Sequence, residues 1–487
     1  MRAPEIRSVN VASKAKASSS IAADPGMSPE GVGADNADTN KSRLDNSRSL
    51  GVLRLSALLF FGVSGGPLGT EGLVKSAGPL YSLVGLCILP IVWCFPVGLM
   101  TAELATAFPK DGGYVWWVDA AFGSFWGFMM GWISWAGGVV DNAIYPGMFL
   151  SFMTKSFDLK LSAFAQQAVL VAFNVVLAAT NLVGIGVAGS ASVVFCGVVL
   201  MPVAILVLVA LPSMSPTAWL AVTPEVNWVR WLNIAIWNTN GFDSISTIGA
   251  EVANPIKTFP AAILLAGFAV IVPYILCIMA ATGVDQDYDS YENGTYNVIA
   301  LKEGGWFLGA LFTVGTSAAA AGMYVSDMTT YSYQLSGMAE EGMVPRIFAA
   351  KLPRLGTPFV AIGLQFVVVM LLSHMDFHDI LVCDNVLYCG ALLMELCAMV
   401  KLRISQPNLP RPFKIPTGTL GVFVMMCGPA AFCWFVLLSS SVKVLALSSL
   451  IVGVGVGIWF FTAHLRDGNG KLILPFLDGS VQSYSAL

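Results

Sequence analysis

Charge is scarce in this chain: Asp, Glu, Lys and Arg make up 11% of its 487 residues, against about 25% in an ordinary soluble domain. With 56% of the residues hydrophobic, a water-facing exterior cannot be assembled, which excludes a soluble globular fold. Histidine is scarcer still, at three: His374, His378 and His464. The first two stand at helical i, i+4 spacing, but no further ligand accompanies them, so no metal site is expected. The formal net charge of -4 provides no basic surface for nucleic acid. All nine cysteines lie in or beside apolar segments, none in a polar loop with framework spacing, and they read as packing residues. Residues 1–48, rich in Ser, Ala, Asn and Asp, lack the apolar run of a signal peptide and read as a disordered cytoplasmic tail.

What is present in abundance is apolar length. A spanning helix takes roughly 20 apolar residues, and twelve segments qualify: 51–76, 79–105, 119–152, 163–183, 188–211, 228–252, 258–282, 304–336, 357–373, 376–401, 418–440 and 443–464. The expected fold class is all-α and polytopic, embedded in a lipid bilayer. With the amino terminus inside, 19 of the 25 Lys and Arg fall on the cytoplasmic side and six outside: Lys75, Lys155, Lys160, Arg230, Lys302 and Lys443. That asymmetry follows the positive-inside rule and predicts both termini in the cytoplasm of a cell membrane protein. The outward loop 285–295 is acidic and carries an N-x-[ST] glycosylation acceptor at Asn293.

Two spans are interrupted. Span 1 contains Gly62-Val63-Ser64-Gly65-Gly66-Pro67-Leu68-Gly69, and span 6 contains Trp237-Asn238-Thr239-Asn240-Gly241-Phe242-Asp243. Four glycines and a proline make a continuous helix improbable in the first, and the second is marked by more polar residues than a kink needs. Breaks five spans apart point to inverted repeats with a substrate site where they meet, because unwound backbone in a membrane must face protein or a water-filled cavity. Gly62 to Gly66 also spells G-x-S-x-G, but it lies inside a spanning helix with no histidine beside it, so no hydrolase and no enzyme activity is expected.

A charged side chain in mid-span costs about 2.5–3.5 kcal/mol, so intramembrane acids should face a cavity or a partner. Six need an account: Glu71, Glu103, Asp141, Asp243, Glu251 and Asp327, and no basic residue lies deep in any span as drawn. Asp243, Glu71 and Asp141 are expected to contact substrate, together with Ser64, Gly65, Gly66 and Asn240 of the breaks. Glu251, Asp327 and Glu103, toward the cytoplasmic end, are expected to gate or to carry a proton. Trp237 has the size to close over a cavity and to attract an ammonium group by about 0.5–2 kcal/mol of cation–π energy. Tyr145, one turn beyond Asp141, is a weaker candidate of the same kind.

Gly65-Gly66-Pro67-Leu68-Gly69-Thr70-Glu71, Thr101-Ala102-Glu103-Leu104-Ala105, Asp111-Gly112-Gly113-Tyr114-Val115, Asp141-Asn142-Ala143, Gly249-Ala250-Glu251-Val252-Ala253-Asn254-Pro255, Gly337-Met338-Ala339-Glu340 and Arg411-Pro412-Phe413-Lys414-Ile415-Pro416 carry a resemblance. The chain resembles the polyamine uptake transporters of plants and protists, in the L-type branch of the amino acid/polyamine/organocation superfamily. The resemblance implies a five-plus-five inverted fold, a midplane site between spans 1, 3, 6 and 8, and proton-coupled uptake of a small cation without a cofactor. It matches Trp237 to a gating aromatic, and Asp243 and Glu71 to acids of the polyamine branch. It divides the chain into tail 1–48, transport core 49–401 with repeats 51–211 and 228–401, spans 11 and 12 within 402–465, and C-terminal tail 466–487. Two departures stand out. Residues 188–211 hold no lysine to serve proton coupling, and Ser151 to Leu161 holds no cysteine for a disulfide-linked heavy chain.

Cationic and neutral amino acids remain alternative substrates, and a non-transporting receptor on the same fold a distant one. Pro67 removes a backbone donor for a substrate carboxylate and Glu71 adds negative charge, which favours a polycation. Either a proton gradient or the membrane potential, about 2.3 kcal/mol per charge at 100 mV, would drive its entry.

Overall fold

Apolar length becomes helix wherever glycine and proline allow it. A computed structural model of the chain describes residues 49–67, 69–156, 159–373, 377–462 and 465. The N-terminal tail, His374, the side chain of His378, His464 and residues 466–487 lie outside the described residues. The helices are α1 (Val52–Val63), α2 (Glu71–Leu89), α3 (Phe95–Ala107), α4 (Tyr114–Phe122), α5 (Ser124–Asn142), α6 (Ile144–Ser156), α7 (Ala163–Val183) and α8 (Ile185–Ala210). They continue with α9 (Trp228–Trp237), α10 (Pro255–Val284), α11 (Thr295–Glu340), α12 (Phe359–Leu372), α13 (Phe377–Ser405), α14 (Thr419–Ser439) and α15 (Val442–Phe461). Eight helical runs are long and apolar enough to cross a membrane, and α1 and α12 are shorter apolar helices. The fold is all-α and polytopic. Among the described residues the only extended pairing is two isolated bridges, Leu50 with Val252 and Asp111 with Ile248.

Each apolar segment of the sequence has its helix. Span 1 comprises α1 and the start of α2, which turns at Gly78 (φ 78°). A Cβ there would lie 2.8 Å from the Thr223 nitrogen, so glycine is required for both conformation and space. Span 2 runs on through a π-helical turn at Pro90–Cys94 into α3. Span 3 comprises α5 and α6. The long α11 packs against α8, α6, α5 and α1, and most of it is buried.

Both interruptions occur at the expected positions, after Val63 and after Trp237, with one difference. After α9 the backbone does not resume as an α-helix; it forms 3-10 turns at Ser244–Thr247 and Gly249–Glu251 before α10. The cause is local: the Ser244 hydroxyl donates to the Gly241 carbonyl (2.8 Å) and the Thr247 hydroxyl to the Ser244 carbonyl (2.8 Å). Such side-chain bonds compete with helical pairing. Glu251 therefore sits on a short 3-10 turn.

The two breaks touch. Gly241 adopts φ +87°, and a Cβ built on it would lie 2.2 Å from the Gly62 carbonyl oxygen. Tyr274 of α10 places its hydroxyl against both breaks, at Ser64 Oγ and 2.9 Å from the Asn238 carbonyl oxygen. Trp93 donates its indole N–H to the Thr239 carbonyl at 2.9 Å. Backbone groups freed by unwinding thus find protein partners, as burial away from water demands. Gly241→Ala should destabilise the protein by about 2 kcal/mol or more, since left-handed strain adds to a clash with a fixed carbonyl. A lowered Tm in detergent, with less monodisperse protein, is the expected readout, and an unchanged Tm would show that the breaks can separate.

Candidate functional site

Where the breaks meet lies a cavity enclosing about 520 Å³ free of protein atoms, part of it continuous with solvent. Its wall includes Ser64 and Gly65 from the first break, Trp237, Asn240 and Gly241 from the second, Asp141 and Tyr145 from span 3, Met323, Asp327 and Tyr331 from α11, and Asp384 and Tyr388 from α13. Of the expected contact residues, Ser64, Gly65, Asp141, Tyr145, Trp237 and Asn240 line it. Asp327, placed by sequence toward the gate, lines it too.

The wall is acidic. The Tyr145 hydroxyl donates to Asp141 Oδ2, while Asp141 Oδ1 and Asp327 Oδ2 are buried without a hydrogen-bond partner. Asp384, 7% exposed, lies near enough for its charge to act on Asp327. Among the described residues no Lys, Arg or His lines the cavity, and none of their His, Cys, Asp and Glu side chains are grouped to hold a metal ion. Three carboxyls without a base leave one kind of counter-charge unsupplied by the protein, a cationic ligand or proton.

Three expected contacts are absent from the wall. Gly66 donates its N–H to Ser64 Oγ at 2.9 Å. Glu71, the first residue of α2, is fully buried and accepts the N–H of Gly69 (2.7 Å) and of Gly294 (3.1 Å). It joins the outer half of span 1 to the outer loop, at a helix end that favours negative charge. Asp243 accepts the Tyr388 hydroxyl at 2.7 Å and does not line the cavity. The same tyrosine oxygen accepts the Gly241 N–H at 3.0 Å. The six acids counted from the sequence omit Asp384 and Glu395, both inside the segment 376–401, where the same insertion cost applies.

The expectation that no base reaches an intramembrane acid is corrected at Glu103. Its carboxylate accepts two bonds from Arg403, at 2.7 and 2.5 Å, and the Ile415 N–H at 2.9 Å. Arg411 Nε stands 3.0 Å away as an ion pair outside hydrogen-bond alignment. Both arginines, counted with a cytoplasmic loop in the sequence, fold back onto α3. Nearby, Asp111 Oδ1 accepts the Ala250 N–H at 3.0 Å. Lys351 lies 3.9 Å from Asp111 Oδ2 and 2.8 Å from Glu340, and Lys110 pairs with Glu341 at 2.8 Å. Burial, then the charge of Glu251, pushes the Asp111 carboxyl up to about 8. The Glu251 carbonyl accepts the Leu50 N–H at 3.2 Å. These contacts clasp loop 108–113, the span 6 turns and the end of α11 together. On the opposite face, Asn293 is exposed in the outer loop.

A family model described as amino acid permease matches residues 50–461. The polyamine transporter PUT1 of Oryza sativa subsp. japonica is 38% identical over 428 residues, covering 87% of this chain and 80% of that protein. The polyamine transporter RMV1 of Arabidopsis thaliana is 36% identical over 431 residues, 87% of this chain and 88% of that one. A probable agmatine/putrescine antiporter of Lactococcus lactis, AguD, is 24% identical over 357 residues, 69% of this chain and 76% of that one.

Two outcomes follow from the inner face. Arg403→Gln leaves Glu103 buried beside a single misaligned arginine and should cost about 3–5 kcal/mol of stability, while adding Glu103→Gln should recover part of it. Thermal unfolding in detergent measures both, and equal losses in the single and double variants would refute the pairing. For Asp111, a folded value above the unfolded one means the folded state keeps a proton that the unfolded chain releases. Its contribution to stability therefore declines as pH rises from about 4 toward 8. Asp111→Asn, which keeps an acceptor for Ala250, should show a Tm that falls less than wild type across that window.

Proposed function

The chain belongs to the amino acid permease family, and from that membership we propose that it is a secondary transporter of polyamines such as putrescine and spermidine. The observation that carries the proposal is the cavity wall: Asp141, Asp327 and Asp384, with the hydroxyls of Tyr145, Tyr331 and Tyr388, and no base. An amino acid would bring a carboxylate needing donors. Of the donors that a broken span 1 would offer, three are already used, Gly66 on Ser64, Gly69 on Glu71 and Thr70 on the Pro67 carbonyl, and Pro67 has none. A di- or trication needs no such donors and matches separated carboxyls, with Trp237 stacking for about 0.5–2 kcal/mol. The relatives named as polyamine transporters support the same reading.

Asp327 joins the substrate site in this reading, and Glu251 acts with Asp111 at the inner gate. Glu103, already held by guanidinium groups, is left out of the coupling path. We read the transporter as a cell membrane protein with both termini cytoplasmic, driven by a proton gradient or the membrane potential. The absence of cysteine from Ser151 to Leu161 supports a transporter without a disulfide-linked heavy chain.

Labelled putrescine uptake by the protein in liposomes should be inhibited by spermidine and indifferent to excess leucine. Asp384→Asn should lower it about tenfold or more, a loss of about 1.4 kcal/mol or greater, within the charge-assisted range, with protein amount unchanged. Leucine competing at comparable concentration, or normal uptake kinetics in Asp384→Asn, would count against a polyamine site.

A further inference from the structure

The ring of Tyr388 divides the buried acids into two sets. On its cavity side stand Asp141, Asp327 and Asp384. Behind it stand Asp243 and Glu395, 4% and 0% exposed, neither on the cavity wall. Neither oxygen of Glu395 meets an N–H or O–H donor; its neighbour is the Asp243 carboxyl. The groups near enough to feel the charge of this pair are Tyr388 from α13, Tyr114 from α4 and Cys433 from α14. None of these is a base. Two adjacent carboxyls in so dry a place cannot both be ionised; sharing one proton lets each bond to the other.

We propose that Asp243 and Glu395 form a proton-binding site of the transporter, separate from the substrate cavity and linked to it through Tyr388. The inference rests on the reading of the chain as a cation transporter and adds the site of its coupling proton. Separation has a consequence for stoichiometry. A proton held on the cavity acids is displaced by each arriving ammonium group, which yields exchange. A proton held behind Tyr388 stays bound while the cavity is filled, which is what movement of both in one direction requires. Tyr388 connects the two events: its hydroxyl proton lies on Asp243 and its oxygen accepts from Gly241 at the hinge of span 6. An ammonium group donating to that oxygen strengthens its bond to Asp243. Movement of the span 6 break shifts both partners together.

The test uses the full chain in liposomes at zero membrane potential. Glu395→Gln keeps an N–H donor for Asp243 but cannot release a proton. It should still exchange external for internal putrescine, while accumulation driven by an inward proton gradient falls about tenfold or more. Glu395→Asp should restore part of the gradient response. Asp384→Asn, by contrast, should lower exchange and accumulation together. If wild type responds to the gradient and Glu395→Gln responds equally, the dyad is overturned while polyamine transport stands. If wild type transports putrescine with no response to the gradient, proton coupling fails and the dyad with it; absence of putrescine transport altogether would sink the transport reading first. Should Glu395→Gln fail to insert, infrared spectra of wild type with carboxyl-labelled glutamate decide. A labelled protonated-carboxyl band that shifts on adding putrescine supports the site, and its absence overturns it.

Discussion

Negative charge without a resident counter-charge is the constraint around which this membrane protein is arranged. Asp141, Asp243, Asp327, Asp384 and Glu395 are buried or sit on one cavity wall, and no guanidinium or ammonium group of the described residues lines that wall. Glu103 shows the other solution: fully buried on α3, it is closed off by Arg403 and Arg411. Both arrangements meet the cost of burying charge. Only the first leaves a binding energy that a visiting cation can use.

An electrostatically incomplete centre cannot hold its own walls together, so other contacts must. The frame is the contact of the two breaks, where Gly241 lies against the Gly62 carbonyl and Tyr274 reaches both strands of unwound backbone. Because those links use main-chain groups and a tyrosine outside the cavity wall, they persist whatever the protonation of the acids. At the end of α11 the Asp111, Lys351 and Glu340 clasp joins loop 108–113 to that helix. It involves none of the residues that line the cavity.

Much of this was legible in the sequence, and the rest was hidden for physical reasons. Glycine and proline density located the first break, since these residues act on the backbone itself, and a run of polar residues around one glycine located the second. The acids of spans 3 and 8 could be marked because insertion cost depends only on residue type and depth. Asp384 and Glu395, inside segment 376–401, answer to the same rule, so the sequence carried their signal too, whereas a lone tyrosine such as Tyr388 in an apolar run reads as packing. Arg403 was misplaced for another reason: a long side chain at a helix end can turn back along the helix, and hydropathy assigns it to the loop. Glu71 was read as a substrate contact because its distance from the break was known but its direction was not. The 3-10 turns after α9 depend on hydroxyls choosing nearby carbonyls, a choice that composition does not reveal.

The fixture of Glu71 reaches further than its burial suggests. One carboxylate oxygen holds the Gly69 amide at the first break and the other holds the Gly294 amide in the outer loop, while Lys75 of the same helix pairs with Glu292. The loop that carries Asn293 is therefore a lever arm of the outer half of span 1 and not a passive cover. Any displacement of this loop is passed to the Gly69 amide at the first break through one buried side chain.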